Sequence, residues 1–464
     1  MNGRVLGTEL KRSAAPVAGV LVPVGALAFI YLMSGSWWQS SEGWTAQWTS
    51  MALLTRTVLY YLWPIVVGIG ALQGLRDSRS RMTELLSTTP RPAWRRALLP
   101  AGATALAVAS GFGLLVLWGA VQVALGDTTY THLRWVPISL VGTLALVAGA
   151  LFGMGVARAL PSVLTPPALV VACLAATILL QQNADGKRPT GFVPNRLSLL
   201  SPALAEPREV LLTLSGSVHV GQTLWLLGLL ATGFALLIAA SHRARLLALA
   251  PVLAGAALAL LVLPADARST YIIDKDAAAR VCDGKVCVTR THRSHLPALA
   301  SQGEEALRVL RDVLGDRAPA AIHEDTALRA IGDSPHRSAD TLLVDFEDPL
   351  LQRATGDHLT RYLIGQGLAP SCNPRSGRES GSLEETAFQS VTVSWALGDR
   401  DLEPLEKKAD DRYSRATWQR AETVWKQLAA ATPADQRARI AAAHEEAVSC
   451  TYEGMNVLAG DTAR

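Results

Sequence analysis

Residues 98–125 read LLPAGATALAVASGFGLLVLWGAVQVAL, a run without a single charged side chain. A helix needs about 20 apolar residues to cross a hydrocarbon core of about 30 Å, so this run predicts a transmembrane helix. Similar runs lie on both sides of it. Together they give seven candidate spans, at 14–33, 57–73, 98–125, 136–158, 166–182, 222–240 and 246–263.

The composition changes where the last apolar run ends. Residues 1–265 hold 18 Lys and Arg against 8 Asp and Glu, whereas residues 266–464 hold 25 against 31. We therefore predict two domains with a boundary at residue 265. The fold class is a polytopic all-α membrane domain of about seven transmembrane helices, followed by an α+β extracytoplasmic domain. The basic residues are scattered between apolar runs, which indicates membrane topology and gives no nucleic-acid-binding face.

The orientation follows from the distribution of Lys and Arg, because short cytoplasmic loops carry an excess of them. A cytoplasmic N-terminus places twelve on the inner side and six on the outer side. The inner set is Arg4, Lys11, Arg12, Arg76, Arg79, Arg81, Arg91, Arg95, Arg96, Arg158, Arg243 and Arg245. With seven spans the C-terminal domain then lies outside the plasma membrane, whereas six spans would leave it in the cytoplasm.

The membrane domain has almost no ionisable side chains at depth. Arg56 is placed at the edge of a span, and the apolar runs otherwise lack Asp, Glu, Lys and His. Ion-coupled carriers use such groups as relays, and charged selectivity filters need rings of them. The sequence therefore argues against both classes, and energy for transport would have to come from another source.

The connection between the second and third spans, residues 76–96, is the most informative segment. It reads RDSRSRMTELLSTTPRPAWRR, in which Met82, Leu85 and Leu86 recur at i, i+3 and i+4 and form one apolar helix face. A new helix can start after Thr88 or Thr89, with Pro90 in its first turn. A short apolar and basic helix of this kind docks into a groove of a partner or lies on anionic lipid.

This segment resembles the connection between spans two and three of ABC-2 type transporter permeases, in which a Glu-Leu-Leu-x-Thr-Pro-like run follows a charged stretch. Here the match runs from Thr83 to Arg91, with one extra Thr before Pro90 and with Met82 in place of a Gly. The resemblance implies that the short helix is a coupling helix for an ATP-hydrolysing subunit. The residues so implied are Arg79, Arg81, Met82, Glu84, Leu85, Leu86, Thr88, Pro90 and Arg91.

The same resemblance implies the architecture and the partners. The family has six spans with both termini inside, and it often has outer half-helices, for which residues 198–214 are apolar enough. This chain departs from that plan by a seventh span and a large final domain. The implied partners are a cytoplasmic ABC ATPase subunit, a second permease subunit in a homodimer or heterodimer, and membrane lipid, with no nucleic acid.

The chain has no phosphate-binding loop of the form G-x-x-x-x-G-K-[ST]. The nearest fragment, Gly186-Lys187-Arg188, lacks the upstream Gly. We therefore expect the chain itself to be no enzyme and to hold no cofactor, with ATP and Mg bound by the partner. The function predicted is that of the membrane subunit of an ABC-2 type transporter, working in export.

Four of the five cysteines lie in the final domain, which favours disulfides in an exported domain. Cys282 and Cys287 flank an Asp-Gly turn, so a bridge across a hairpin is natural there. Cys372 would then pair with Cys450 and close a loop whose bridge contributes about 4–5 kcal/mol. Three pairings are combinatorially open.

The histidines of the final domain bear on whether it is an enzyme. His444-Glu445 begins like the zinc-peptidase motif H-E-x-x-H, but Val448 stands where the second ligand is needed, and one His cannot hold catalytic zinc. His292 and His295 stand three apart without a carboxylate-rich motif beside them. No metal ligand set is predicted, and the alternatives are a membrane-anchored binding or sensor protein, or a peptidase-like ectodomain that has lost its zinc site.

Overall fold

The protein is described from a computed structural model. The structure describes residues 15–32, 44–45, 47–76, 92–126, 130–182, 195–203, 211–266, 269–326, 335–338, 340–346, 348–373, 381–406, 411–451 and 453–460. These fall into two compact units, the first ending at Ile272 and the second beginning at Ile273.

The first unit is a bundle of apolar helices. They are α1 (Ala15–Leu32), α2 (Trp48–Thr57), α3 (Leu59–Gly74), α4 (Ala93–Leu125), α5 (Trp135–Ala159), α6 (Thr165–Gln182), α7 (Gly216–Ile238), α8 (His242–Leu247) and α9 (Ala250–Val262). Six candidate spans are long and apolar enough to cross a membrane, namely α1, α4, α5, α6, α7 and the pair α8–α9. The prediction of a polytopic helical membrane domain is confirmed in this form.

The second predicted span differs from the expectation of one straight helix. It is a pair, α2 and α3, bent by 50° at a break after Thr57. The pair starts at Trp48, nine residues before the predicted start. The residues missed by the prediction include polar side chains such as Thr49 and Thr55, which are buried inside the unit. Hydropathy alone assigns such residues to a loop. Among the described residues, the unit therefore has six candidate spans, or up to seven if the bent pair is one span.

Small residues allow α3 and α5 to pack backbone against backbone. A Cβ atom added at Gly70 or Gly74 would collide with the main chain of Ala150 or Met154, and one at Gly153 would collide with Val67. Glycines four residues apart are the usual means by which membrane helices approach closely. This contact makes α3 and α5 a fixed pair in the middle of the unit.

The second unit contains a four-stranded sheet in the order β3 (Arg280–Asp283), β4 (Val286–Thr289), β5 (Ala321–Glu324) and β6 (Thr341–Val344). Strands β3 and β4 form the predicted antiparallel hairpin, and β4, β5 and β6 run parallel. A separate two-stranded sheet, at the end of the first unit, joins β1 (Leu212–Leu214) and β2 (Tyr271–Ile273). Strand β5 was not predicted, because its four residues include His323 and Glu324.

Helices make up the rest of the second unit. They are α10 (Leu296–Leu314), α11 (Pro349–Arg353), α12 (Asp357–Leu368), α13 (Gly381–Leu397), α14 (Arg412–Ala430), α15 (Pro433–Ser449) and α16 (Gly454–Ala459). Helix α10 connects parallel strands β4 and β5 and buries Leu299, Leu307 and Leu310 against them. Helices α11 and α12 are separated at Gly356, whose φ of 54° an L-residue rarely adopts. The α+β prediction therefore describes this unit.

Candidate functional site

The residues assigned to the coupling segment, Arg79 to Arg91, lie outside the described residues. The structure describes what flanks them. Helix α3 ends at Gly74, and α4 begins at Ala93 after Pro92, which has extended backbone angles. The segment therefore connects two membrane helices directly, and its own conformation stays a prediction.

The start of α4 has the chemistry of a membrane interface. Helix α4 has 33 residues, which gives a length of about 50 Å, well beyond a hydrocarbon core of about 30 Å. Trp94 in its first turn is 46% exposed, and the guanidinium carbon of Arg95 lies 5.0 Å from the Trp94 ring centre. Such a cation–π pair beside an apolar run is suited to the headgroup region. The segment assigned to coupling therefore leads into a helix whose first turn carries an exposed Trp94 beside Arg95.

A second polar centre lies inside the first unit, at Arg56. The sequence places Arg56 at the edge of a span, but its side chain is completely buried in the last turn of α2, beside the bend to α3. Burial of a guanidinium in a membrane domain is costly, so such residues mark functional positions. We call Arg56 and its hydrogen-bond partners the Arg56 centre.

The guanidinium of Arg56 reaches three separate parts of the chain. Its Nε and Nη2 donate to the carbonyl oxygen of Pro202 at 3.2 and 2.9 Å. Its Nη2 also donates to Oε1 of Gln222 on α7 at 3.1 Å, and Nη1 donates to the carbonyl oxygen of Ile138 on α5 at 3.5 Å. Within the described ranges, the acceptors of Arg56 are thus two backbone carbonyls and one side-chain amide, all of them neutral.

Gln222 extends the centre to residues 195–203. Its Nε2 donates to the carbonyl oxygen of Leu199 at 3.0 Å, while Asn195 accepts hydrogen bonds from the backbone N–H groups of Leu197 and Ser198, both at 3.0 Å. The predicted outer half-helices at 198–214 are not found among the described residues there. The described parts of that stretch, 198–203 and 211–214, contain a 3-10 turn (Ser198–Leu200) and the short strand β1.

Helix α5 leaves space for the Arg56 stem at Gly142. A Cβ atom at Gly142 would lie 2.8 Å from Cδ of Arg56 and 2.9 Å from the Phe112 ring. The side chain of Arg56 therefore packs against Gly142 between α2 and its acceptors. Sequence analysis missed this centre because its partners lie 82 to 166 residues away in the chain.

The cysteines of the second unit pair as predicted. Cys282 is bonded to Cys287 across the β3–β4 hairpin, with Cα atoms 4.1 Å apart, and Cys372 is bonded to Cys450, with Cα atoms 5.7 Å apart. Cys173 is free and buried in α6. Both bridges lie in the domain for which we predict an oxidising environment.

His292 has a carboxylate partner that the local sequence does not reveal. Its Nδ1 lies 2.6 Å from Oε1 of Glu324, at the end of β5, and its ring stacks on Phe346 with centres 4.2 Å apart. Glu324 also accepts hydrogen bonds from the backbone and the hydroxyl of Thr289. Because His292 and Glu324 are 5% and 6% exposed, this cluster is a closed polar core at the carboxyl ends of the parallel strands.

The residues that resemble a zinc-peptidase helix make contacts with other residues of the second unit. Nδ1 of His444 lies 2.8 Å from the carbonyl oxygen of Leu368, and Glu445 forms an ion pair with Arg317 at 2.6 Å. Val448 is exposed on the same helix, α15. Among the residues that the structure describes, no group of three or more His, Cys, Asp and Glu side chains is placed to hold a metal ion.

No family model matches the chain, and no curated protein and no solved structure matches it. The function must therefore be argued from the chain itself. What the structure defines is a polytopic helical membrane unit with a buried arginine centre, joined to a unit with a small sheet and two disulfides.

Proposed function

We propose that the chain is the membrane subunit of an ABC transporter of the ABC-2 type, working in export. A separate cytoplasmic ATPase would bind the segment at residues 76–96 and drive the helices that flank it. The observation that carries this proposal is the Thr83–Arg91 pattern in a connection between two membrane helices, α3 and α4. Movement of such a segment acts on both helices at once, because only short stretches of chain separate it from each.

The packing of α3 supports this transmission. Helix α3 is locked to α5 through Gly70, Gly74 and Gly153, so a displacement of α3 has to move α5 as well. The bend between α2 and α3 lies at the other end of α3, beside Arg56. A rigid helix pair therefore runs from the proposed ATPase contact to the Arg56 centre.

The sidedness of the proposal does not depend on whether the bent pair crosses the membrane. Between residues 76–96 and the second unit lie five candidate spans, α4, α5, α6, α7 and α8–α9. If each of these five crosses the membrane, the odd number supports a topology with the segment and the second unit on opposite sides. Whether the bent pair crosses the membrane changes only the orientation of α1 and the side on which the N-terminus lies. We place the segment in the cytoplasm, following the Lys and Arg distribution, and the second unit outside, as its disulfides favour.

Sidedness can be measured by cysteine labelling in intact cells. In a Cys173→Ala background we would compare Ser80→Cys with Ser376→Cys, using a membrane-impermeant maleimide. The proposal predicts labelling of the Ser376→Cys variant in intact cells and of the Ser80→Cys variant only after permeabilisation. Labelling of both variants from the same side would contradict it.

The ATPase partner can be tested by purification from the native host in a mild detergent, with an affinity tag on this chain. We expect an ATP-hydrolysing polypeptide to co-elute in a fixed ratio. Purification of a stable protein without such a subunit would favour a membrane-anchored binding or sensor protein. Zinc bound to the purified chain, measured by elemental analysis, would favour an ectoenzyme.

A further inference from the structure

We propose that the Cys282–Cys287 bridge is a redox-active disulfide, which exchanges reversibly with the dithiol of an exported oxidoreductase, whereas the Cys372–Cys450 bridge is structural. This goes beyond the proposed function and holds whether or not an ATPase binds the chain. Three observations carry it. One sulfur is accessible, the hairpin is paired independently of its bridge, and basic side chains lie beside the second cysteine.

The two bridges of the second unit differ in their exposure to solvent. Cys282 is exposed on β3, and its partner Cys287 is 8% exposed. Cys372 is 4% exposed, and Cys450 is half-buried. Thiol–disulfide exchange starts when a thiolate approaches one sulfur atom of the bridge, so it requires access to that atom. The exposed Cys282 gives a reductant this access.

The β3–β4 hairpin is held by its own strand pairing. Cys282 stands directly opposite Cys287, and further residue pairs continue the antiparallel ladder on both sides of the bridge. In the described sheet β3 is an edge strand, so the bridge links an edge to its neighbour. Its cysteines are 5 residues apart in the chain, against 78 for Cys372 and Cys450. A bridge that closes a short loop restricts the unfolded chain less and adds less stability. We therefore expect the hairpin to keep its fold when the bridge opens.

Cys287 lies on the face of the sheet opposite helix α10. Val286 and Ile322 point towards α10, because a Cβ atom at Gly303 of that helix would lie 2.9 Å from both side chains. Side chains alternate along a strand, so the following residues, Cys287 and His323, point to the other face. They are also register partners on the parallel strands β4 and β5. His323 is therefore the neighbour of Cys287 on this face, one strand spacing of about 4.8 Å away.

Arg280 brings a positive charge to the same face. It is exposed on β3 two residues before Cys282, so the two side chains point the same way. Burial lowers the pKa of His323 from its ordinary value of 6.5, and the charge of Arg280 lowers it further, so the two groups are within electrostatic reach. A cation beside a cysteine stabilises its thiolate. A disulfide whose reduced form is stabilised is easier to reduce.

The exchange consists of two displacements at sulfur. A thiolate of the dithiol partner attacks Sγ of Cys282 and breaks the bond to Cys287, whose Sγ takes the electron pair beside Arg280 and His323. The second thiolate of the partner then attacks the partner's own sulfur in the mixed disulfide and releases Cys282. The partner is oxidised to a disulfide and the hairpin gains two electrons, while the two protons of the partner's thiols pass to the released thiolates.

The test is a redox titration of the full chain in a neutral detergent. The probe is dithiothreitol, itself a dithiol, at defined ratios of its reduced to its oxidised form. Alkylation followed by peptide mass spectrometry measures each bridge separately. We expect the ratio at half reduction to be at least tenfold lower for Cys282–Cys287 than for Cys372–Cys450. Equal ratios, or the reverse order, would overturn the proposal.

The decisive variant is Arg280→Gln/His323→Gln, which removes both basic side chains beside the bridge. We expect its ratio at half reduction of Cys282–Cys287 to rise at least threefold. Arg311→Gln is the matched control, because Arg311 is exposed on α10, at the other face of the sheet. Its ratio should equal that of the wild type. An unchanged ratio in the double variant would overturn the proposal.

A purely structural bridge would give a different result when it is removed. We expect Cys282→Ser/Cys287→Ser to remain folded and to lower the urea midpoint of the full chain less than Cys372→Ser/Cys450→Ser does, because its loop is much shorter. Tryptophan fluorescence measures both variants. A larger loss for Cys282→Ser/Cys287→Ser would identify that bridge as structural and contradict its assignment as redox-active.

Discussion

Arg56 and Gln222 lie on different membrane helices, α2 and α7, and are joined by a hydrogen bond of 3.1 Å from Nη2 to Oε1. Gln222 is 1% exposed and also donates to the carbonyl oxygen of Leu199. One amide therefore connects the buried charge to the segment at 195–203. The bend of the second span is fixed on one side by this amide and on the other by the glycine contact of α3 with α5.

Replacement of Gln222 by Leu should destabilise the unit, because it leaves a charged donor and a buried carbonyl oxygen with fewer partners. We expect a loss of about 1–3 kcal/mol in the free energy of unfolding, measured by denaturant titration in detergent. Gln122→Leu is the control, since Gln122 donates to the exposed hydroxyl of Tyr31. Because this hydrogen bond is exposed, its loss leaves no buried group unpaired, so that variant should change little. Equal losses would refute the special role of Gln222.

The close approach of α3 and α5 predicts that Gly153→Ala is not tolerated. The added methyl group would meet backbone atoms of Val67, which cannot move without separating the helices. We expect a loss of about 1–3 kcal/mol, typical of overpacking. Gly113→Ala on α4 is the control, because a Cβ atom there meets nothing within 4 Å. Size-exclusion profiles and melting temperatures of the two variants should differ, and identical behaviour would exclude the backbone contact.

Helix α12 of the second unit carries a buried ion pair, for which the exposed pair of Arg317 and Glu445 serves as a comparison. Arg361 donates to Asp399 at 2.7 Å and to Ser394 at 3.2 Å, and its side chain is 8% exposed. Arg361→Met should reduce the free energy of unfolding by about 2–4 kcal/mol, because Asp399 loses its partner.

Arg317→Met provides the comparison, since Arg317 and Glu445 are 62% and 68% exposed. Exposed pairs contribute at most about 1 kcal/mol. Urea unfolding of the full chain, followed by tryptophan fluorescence, measures both variants. A loss for Arg317→Met as large as that for Arg361→Met would contradict the ranking by burial.

His323 on β5 predicts acid sensitivity of the second unit. Burial lowers the pKa of His323 from its ordinary value of 6.5, and the nearby Arg280 charge lowers it further. The unfolded chain therefore binds a proton at a higher pH than the folded one does. This contribution leaves stability unchanged well above pH 6.5 and reduces it as the pH falls through and below that value.

His323→Gln should consequently narrow the difference in melting temperature between pH 7.5 and pH 5.0. His358→Gln is the control, because His358 is exposed at the start of α12. Its pH profile should match that of the wild type. If His323→Gln keeps the full pH dependence, the acid sensitivity comes from other groups.

The parts of the fold that sequence predicted are those with local signals. Apolar runs are continuous, so most spans were located within a few residues, and the Asp-Gly turn between Cys282 and Cys287 fixed the hairpin. The Arg56 centre has no local signal, because Pro202 and Gln222 are brought to it by tertiary packing. Strand β5 was missed for the same reason: Glu324 is buried only because Thr289 and His292 lie beside it.

The central claim is that residues 76–96 couple this chain to an ATPase. The most direct measurement is the ATPase rate of the purified complex, relative to the ATPase alone, for Glu84→Ala/Leu85→Ala/Leu86→Ala. Leu246→Ala/Leu247→Ala is the control, because these leucines are exposed and lie in α8, outside the segment. We predict that the segment variant loses both co-elution and stimulation while the control keeps them. Stimulation that is unchanged in the segment variant would contradict the account.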